Sequence, residues 1–127
     1  LRLLLDSHVL LWLLLDDPAL APAARETIVG GQHEVLTSAA TIWEIEVKRV
    51  KGKLDAPEDL LDRTERAGFR LLDITPDHAL DAARLPHHHR DPFDRLLVVQ
   101  AQAEAATLVT HDGALAAYDV PIMRVDA

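Results

Sequence analysis

Four carboxylates stand where they could share one metal-dependent reaction: Asp6, Glu44, Asp94 and Asp112. Asp6 ends the apolar run Leu1–Leu5, broken only by Arg2, and Asp112 lies just past the run Leu108–Thr110. Glu44 and Asp94 fall in segments with helical spacing. Carboxylates crowded together repel and raise each other's pKa unless a cation sits among them. Oxygen-only donors suit Mg²⁺, with Mn²⁺ as an alternative. Such an ion polarises a phosphodiester, orients an attacking water and stabilises the leaving oxygen. Four acids could hold one ion or two.

Each acid also has an ordinary reading. Asp6 could cap the helix after it, although Ser7 beside it offers the same service. Glu44 could pair with Lys48 four residues on. Asp94 could complement its helix dipole, and Asp112 could serve a turn before Gly113. Asp91, one helical turn before Asp94, could approach the same site, or cap the helix, or bind Arg95.

The elements that must position these residues alternate. Leu1–Leu5 reads as a buried parallel strand, followed by a helix to about Leu15. Pro22 opens a helix closed by Gly30–Gly31. Glu34–Thr37 is a strand, and Ser38 caps a helix over 39–50. Pro57 opens a helix to about Ala67, and Phe69–Ile74 is a strand. Thr75 and Pro76 start a helix that Pro86 ends. Phe93–Ala106 is helical, Thr107–Thr110 a strand, Gly113–Tyr118 a short helix and Val120–Met123 a last strand. Strand and helix in alternation predict an α/β domain with a mainly parallel sheet. Ligands then bind at the carboxyl ends of the strands, where Asp6 and Asp112 fall, and the fold could bring Glu44 and Asp94, both on helices, to the same edge. The length of 127 residues suits one domain over 1–127.

Composition narrows the chemistry. The chain has no cysteine, which removes disulfides, thiolate metal sites and cysteine nucleophiles. The formal charge of −8 argues against coating nucleic acid by bulk charge. An enzyme acting on RNA needs only a local basic patch, and Lys48, Arg49, Lys51, Lys53, Arg90 and Arg95 are the candidates for phosphate contact. The apolar run Val9–Leu15 is too short to span a bilayer, and no secretory signal pattern is expected. A cytoplasmic protein is expected. That run is apolar on every side, so its helix must be deeply buried or covered by a partner. Trp12 and Trp43 suit the core or a dimer interface.

The three histidines His87, His88 and His89 could suit Zn²⁺, but three in a row do not easily face one ion. Contact with phosphate or plain exposure is the alternative. His8 could shuttle protons beside Asp6, against the default of a packed histidine.

The chain resembles PIN-domain proteins, and within them VapC-type toxins of type II toxin–antitoxin systems. The resemblance runs nearly end to end. It is carried by Leu3-Leu4-Leu5-Asp6-Ser7-His8, by Ser38-Ala39-Ala40-Thr41-Ile42-Trp43-Glu44-Ile45 with Lys48 and Gly52-Lys53-Leu54, by Pro86 to Leu97 with Asp91-Pro92-Phe93-Asp94-Arg95, and by Leu108-Val109-Thr110-His111-Asp112. It implies a three-layer α/β/α fold and a metal-dependent endoribonuclease with Asp6, Glu44, Asp94 and Asp112 in its site. Ser7 and Thr110 would assist by hydrogen bonding. A homodimer, a cognate antitoxin that inhibits it, and a tRNA or rRNA target follow from the same resemblance. Rival readings are a haloacid-dehalogenase-like phosphatase, opposed by His8 where a second Asp is needed, and a receiver domain, whose phosphoacceptor Asp and late Lys have no convincing match. A structure-specific DNA nuclease and a non-catalytic PIN-like binding module remain as alternatives.

Overall fold

The computed structural model describes residues 1–125. Its centre is a five-stranded parallel sheet in the order β3-β2-β1-β4-β5. The strands are β1 (Arg2–Leu5), β2 (Glu34–Ser38), β3 (Arg70–Leu72), β4 (Thr107–Thr110) and β5 (Ile122–Arg124). The helices are α1 (Ser7–Leu14), α2 (Pro22–Val29), α3 (Ala39–Val50), α4 (Leu60–Arg66), α5 (Pro76–Arg84) and α6 (Pro92–Glu104), with a short 3-10 helix at Gly113–Ala117. The arrangement is the three-layer α/β/α sandwich expected, and every strand pairing is parallel.

The unbroken apolar run of β1 has a simple cause. Side chains alternate across a strand, and both faces of this one are covered. Leu3 and Leu5 pack with Val9, Leu10, Ile28, Ile45 and Leu60 from α1 to α4. Leu4 packs on the opposite face with Leu97, Val98, Ala101 and Leu115. Burying each of these leucines contributes roughly 1.5–3 kcal/mol. Much of the all-round apolar run finds its cover within the chain: Val9, Leu10, Leu11 and Leu13 are buried, Trp12 and Leu14 are partly buried, and Leu15 is exposed. α5 packs on α6.

β1 is central, and the chain crosses it between β3 and β4. The carboxyl ends of β1 and β4 therefore flank the point where the strand order reverses, the usual crevice of an open parallel sheet. Register brings Leu5 opposite Val109, so Asp6 and Thr110 emerge side by side. Asp6 N–H donates to Val109 C=O at 3.0 Å, which extends the ladder by one residue and fixes the first acid against β4. At α6, Pro92 sits in the first turn, and the Asp91 side chain accepts from Phe93 N–H and Asp94 N–H. No helix among the described residues is long and apolar enough to cross a membrane.

Candidate active site

A cleft of about 240 Å³ at the carboxyl edge of the sheet is lined by Asp6, Ser7, His8, Glu44, Lys48, His89, Asp91, Asp94, His111 and Asp112. All four acids singled out in the sequence line it, with Asp91 and Ser7. A larger cavity, about 500 Å³, lies near the amino ends of β2 and β3 against Leu13, Ile28, Val35 and Phe69. It gathers no cluster of acids, so the smaller cleft is the one equipped for the chemistry.

Asp6 is 4% exposed, and each of its oxygens has a partner. Oδ1 accepts from Val9 N–H at 2.9 Å and Oδ2 from the Thr110 hydroxyl at 2.6 Å. Asp6 is therefore the N-cap of α1, and the expectation that Ser7 caps this helix is corrected. Asp6 is the last residue with extended backbone, so its carboxylate reaches the free N–H of the first turn. The Ser7 hydroxyl turns inward and donates to Glu44 Oε1. Glu44 is 5% exposed, and its Oε2 accepts from Lys48 Nζ at 2.8 Å. The surface-pair reading of Glu44 thus holds in part: the pair with Lys48 exists, but its acid is buried in the cleft. Glu44's bond raises the Lys48 pKa, and Asp91 and Asp94 add to it.

Asp94 and Asp112 face each other across His89. Their oxygens and an imidazole nitrogen of His89 lie within 4.8 Å of one another. The Asp94 carboxyl is pushed up to about 7, first by burial, then by the charge of Asp91. Glu44 and Asp6 push it in the same direction, and His89 opposes them. Asp112 is held below the usual range, chiefly by Ala114 N–H donating to Oδ1 at 2.9 Å, with His89 helping. Thr110 Oγ1 also accepts from Asp112 N–H at 2.9 Å. Thr110 thus ties the first acid to the last.

That double duty gives a specific expectation. A Thr110→Val variant keeps the shape and removes both hydrogen bonds. Leaving the buried Asp6 Oδ2 with only the longer His111 N–H and ring contacts, at 3.4 Å, should cost about 1–3 kcal/mol in urea unfolding. It should also lower turnover more than substrate affinity, because it disorders acids and not a binding surface.

The basic residues divide sharply. Only Lys48 lines the cleft. Arg49 is bound to Glu46, with Glu58 near it at 3.9 Å, while Lys51, Lys53 and Arg90 are exposed outside the cleft. Arg95, expected at phosphate, is 8% exposed and points inward. Its guanidinium donates to five backbone carbonyls, of Ala82, Ala83, Leu85, Pro86 and His89, and to Tyr118 Oη. The planar fork suits several acceptors at once, and the loop after α5 supplies them. Arg95 builds that loop instead of meeting substrate.

Aromatic rings sit on the cleft's rim. His8, Trp12 and His111 form a cluster with centroids 4.3–5.8 Å apart. Burial and then the neighbouring His111 lower the His8 pKa, so it is neutral at pH 7. Trp43 is 58% exposed and meets Phe93 edge-on at 5.1 Å, so it does not belong to the core. His111 was not singled out in the sequence. Its position directly between Thr110 and Asp112 was the available signal.

The donor chemistry fits a divalent cation. The cleft gathers hard oxygen donors, and one of them, Asp94, has its pKa raised by burial first and by the negative charge of Asp91 second. Asp94, Asp112 and a nitrogen of His89 lie close enough together to share one cation, and Asp6 and Glu44 line the same cleft.

Comparison with known proteins bears on the fold. The sequence profile described as "PIN domain" matches residues 3–121, and the chain belongs to the PIN domain family. Its fold is similar to a DNA-bound VapBC of Salmonella typhimurium, with TM-score 0.71, 18% identity and 98% of each chain covered. It is similar to VapBC2 of Rickettsia felis bound to a promoter DNA fragment, with TM-score 0.69, 13% identity and 98% of each chain covered. It is also similar to VapC20 of Mycobacterium tuberculosis, described as a sarcin–ricin loop cleaving toxin. That match has TM-score 0.65 and 14% identity, and covers 96% of this chain and 98% of the other. A search among curated protein sequences gives no match.

Proposed function

We propose that the protein is a divalent-metal-dependent endoribonuclease, the toxin of a toxin–antitoxin pair, acting with Mg²⁺ or Mn²⁺. The observation that carries the proposal is the convergence of Asp6, Glu44, Asp94 and Asp112 on one cleft at the strand ends. The solved relatives support the biological setting, since they include VapBC complexes and a toxin described by its RNA-loop cleavage. An inhibiting antitoxin, a homodimer, a tRNA or rRNA target, a single domain over 1–127 and a cytoplasmic location belong to the same reading.

A bound divalent ion would supply Lewis-acid polarisation of the phosphodiester and an acidified water. The chain's own residues prepare the site for it. Thr110 and Val9 N–H hold the two oxygens of Asp6 in fixed directions. Ser7 and Lys48 do the same for Glu44. Lys48 is half-exposed at the cleft and is the cation placed to meet a phosphate oxygen. This local arrangement answers the unfavourable net charge of −8: binding needs a neutralised cleft, not a basic surface.

The test uses antitoxin-free protein and a total bacterial RNA pool, with Mg²⁺, with Mn²⁺, with EDTA, and with Asp6→Asn. Discrete cuts that need metal and fall at least about a hundredfold in the variant are expected. Sequencing the fragment ends then names the target. Cutting that survives EDTA or Asp6→Asn would place the chemistry elsewhere, and folded protein that cuts nothing would favour a binding module.

A further inference from the structure

We propose that His89 is a positioning residue of the acidic site, a fixed Nε2–H donor to its carboxylates and not one of its metal ligands. The inference rests on the metal-site reading above. His89 Nδ1 accepts from Asp91 N–H at 3.1 Å. A ring nitrogen that accepts carries no hydrogen, so a neutral imidazole holds its hydrogen on Nε2. That Nε2 lies 3.1 Å from Asp112 Oδ2 and 3.6 Å from Asp94 Oδ2.

The spacing of His89, Asp94 and Asp112 by itself would suit a mixed nitrogen–oxygen metal set. The tautomer argues otherwise. An Nε2 that carries hydrogen has no in-plane lone pair for a cation. To ligate, the ring would have to move its hydrogen to Nδ1, where it would face Asp91 N–H, donor against donor.

The backbone resists any swing that would relieve this clash. His89 N–H donates to Tyr118 Oη at 3.0 Å, and His89 C=O accepts from Arg95 at 3.2 Å. The imidazole is thus clamped on both sides and presents one hydrogen to the acids. The beneficiary is Asp112, whose Oδ1 is fixed by Ala114 N–H and whose Oδ2 has His89 as its hydrogen-bond partner. His87 and His88 take no part in this, since both are exposed and His88 leans on the Tyr118 ring at 5.1 Å.

Two conservative variants separate the two ends of the imidazole. His89→Gln places an amide N–H near the Nε2 position. His89→Asn places a carbonyl oxygen near Nδ1, keeping the Asp91 contact and losing the donor. Mn²⁺ affinity, measured by electron paramagnetic resonance of the free ion, should stay within about threefold of wild type in His89→Gln. It should fall about tenfold or more in His89→Asn.

Nitrogen-15 shifts of His89 should show Nε2 as the protonated nitrogen both before and after Mg²⁺ is added. Equal loss in the two variants, wild-type affinity in both, or a metal-induced switch to unprotonated Nε2 would each overturn the assignment. An Asp94→Asn control that binds Mn²⁺ as tightly as wild type would instead sink the metal-site reading itself, and the positioning role with it.

Discussion

Without divalent metal at pH 8, the Asp94→Asn protein should be more stable than wild type, by on the order of 1–3 kcal/mol. The native Asp94 carboxyl is pushed up to about 7 from an ordinary value of 3.8, by burial first and by Asp91 second. A folded-state pKa above the unfolded one means that the folded protein holds a proton the unfolded chain has released. Wild-type stability should therefore be highest near pH 4 and fall as pH rises through the window to about 7. The side chain is 21% exposed, which keeps the penalty below the full shift. The amide cannot ionise, so the variant's profile should be flatter across that window. Mg²⁺ should raise the wild-type melting temperature strongly at pH 8 and weakly near pH 5, and should do neither in the variant. RNA cutting should fall at least about a hundredfold. Urea unfolding at both pH values checks the prediction. Wild-type stability that rises through the same window would mean the carboxylate is stabilised by partners, not strained by neighbours.

Replacing Arg95 should be the most damaging single change outside the hydrophobic core. Arg95→Met keeps much of the volume and abandons five backbone carbonyls and the Tyr118 oxygen. Ala82 C=O keeps Leu85 N–H and Pro86 C=O keeps the Tyr118 hydroxyl, so the loss falls on the other carbonyls. Buried acceptors left unpaired cost about 1–3 kcal/mol each before relaxation, and a loss of about 3–5 kcal/mol is expected. The melting temperature should drop by roughly ten degrees or more. Arg95→Lys should recover less than half of this, because an ammonium cannot span a fork of carbonyls. The loop also carries His89 and Asp91, so metal affinity should weaken at temperatures where the variant is still folded. A variant as stable as wild type would return Arg95 to the role of a phosphate contact.

The architecture was legible because its signals are local. The apolar run at Leu3–Leu5, the Pro and Gly punctuation and the helical spacing over 93–106 each depend on a few neighbours. Asp6 and Asp112 were legible for a related reason, since strand ends in a parallel sheet point to one edge, whereas Glu44 and Asp94 lie on helices and were carried by the family resemblance. What escaped was directional. Nothing in the string Asp6-Ser7 decides which side chain caps the helix, because both types serve; the choice was made by Glu44, a distant acid that takes the Ser7 hydroxyl. Arg95 beside Asp94 looked like a substrate contact because an arginine next to a candidate site acid carries no mark of its direction. It faces inward, where the last turn of α5 and the loop after Arg84 present backbone carbonyls to its guanidinium. His89 could not be separated from His87 and His88 by type, and only the Asp91 N–H and the Tyr118 hydroxyl single it out.

The bond between Asp6 and Thr110 joins residues 104 positions apart, and this sets a clock on the protein's own synthesis. Asp6 leaves the ribosome early, but the strand that completes its surroundings emerges only after Thr110 has been made. Until then β1 can pair with β2, while its other edge stays open and the cleft lacks Asp112. A nascent chain of this design lacks a complete cleft until the segment carrying Thr110 and Asp112 has been made. For the ribonuclease proposed above, that order leaves time for an inhibiting partner to be present before the cleft is complete.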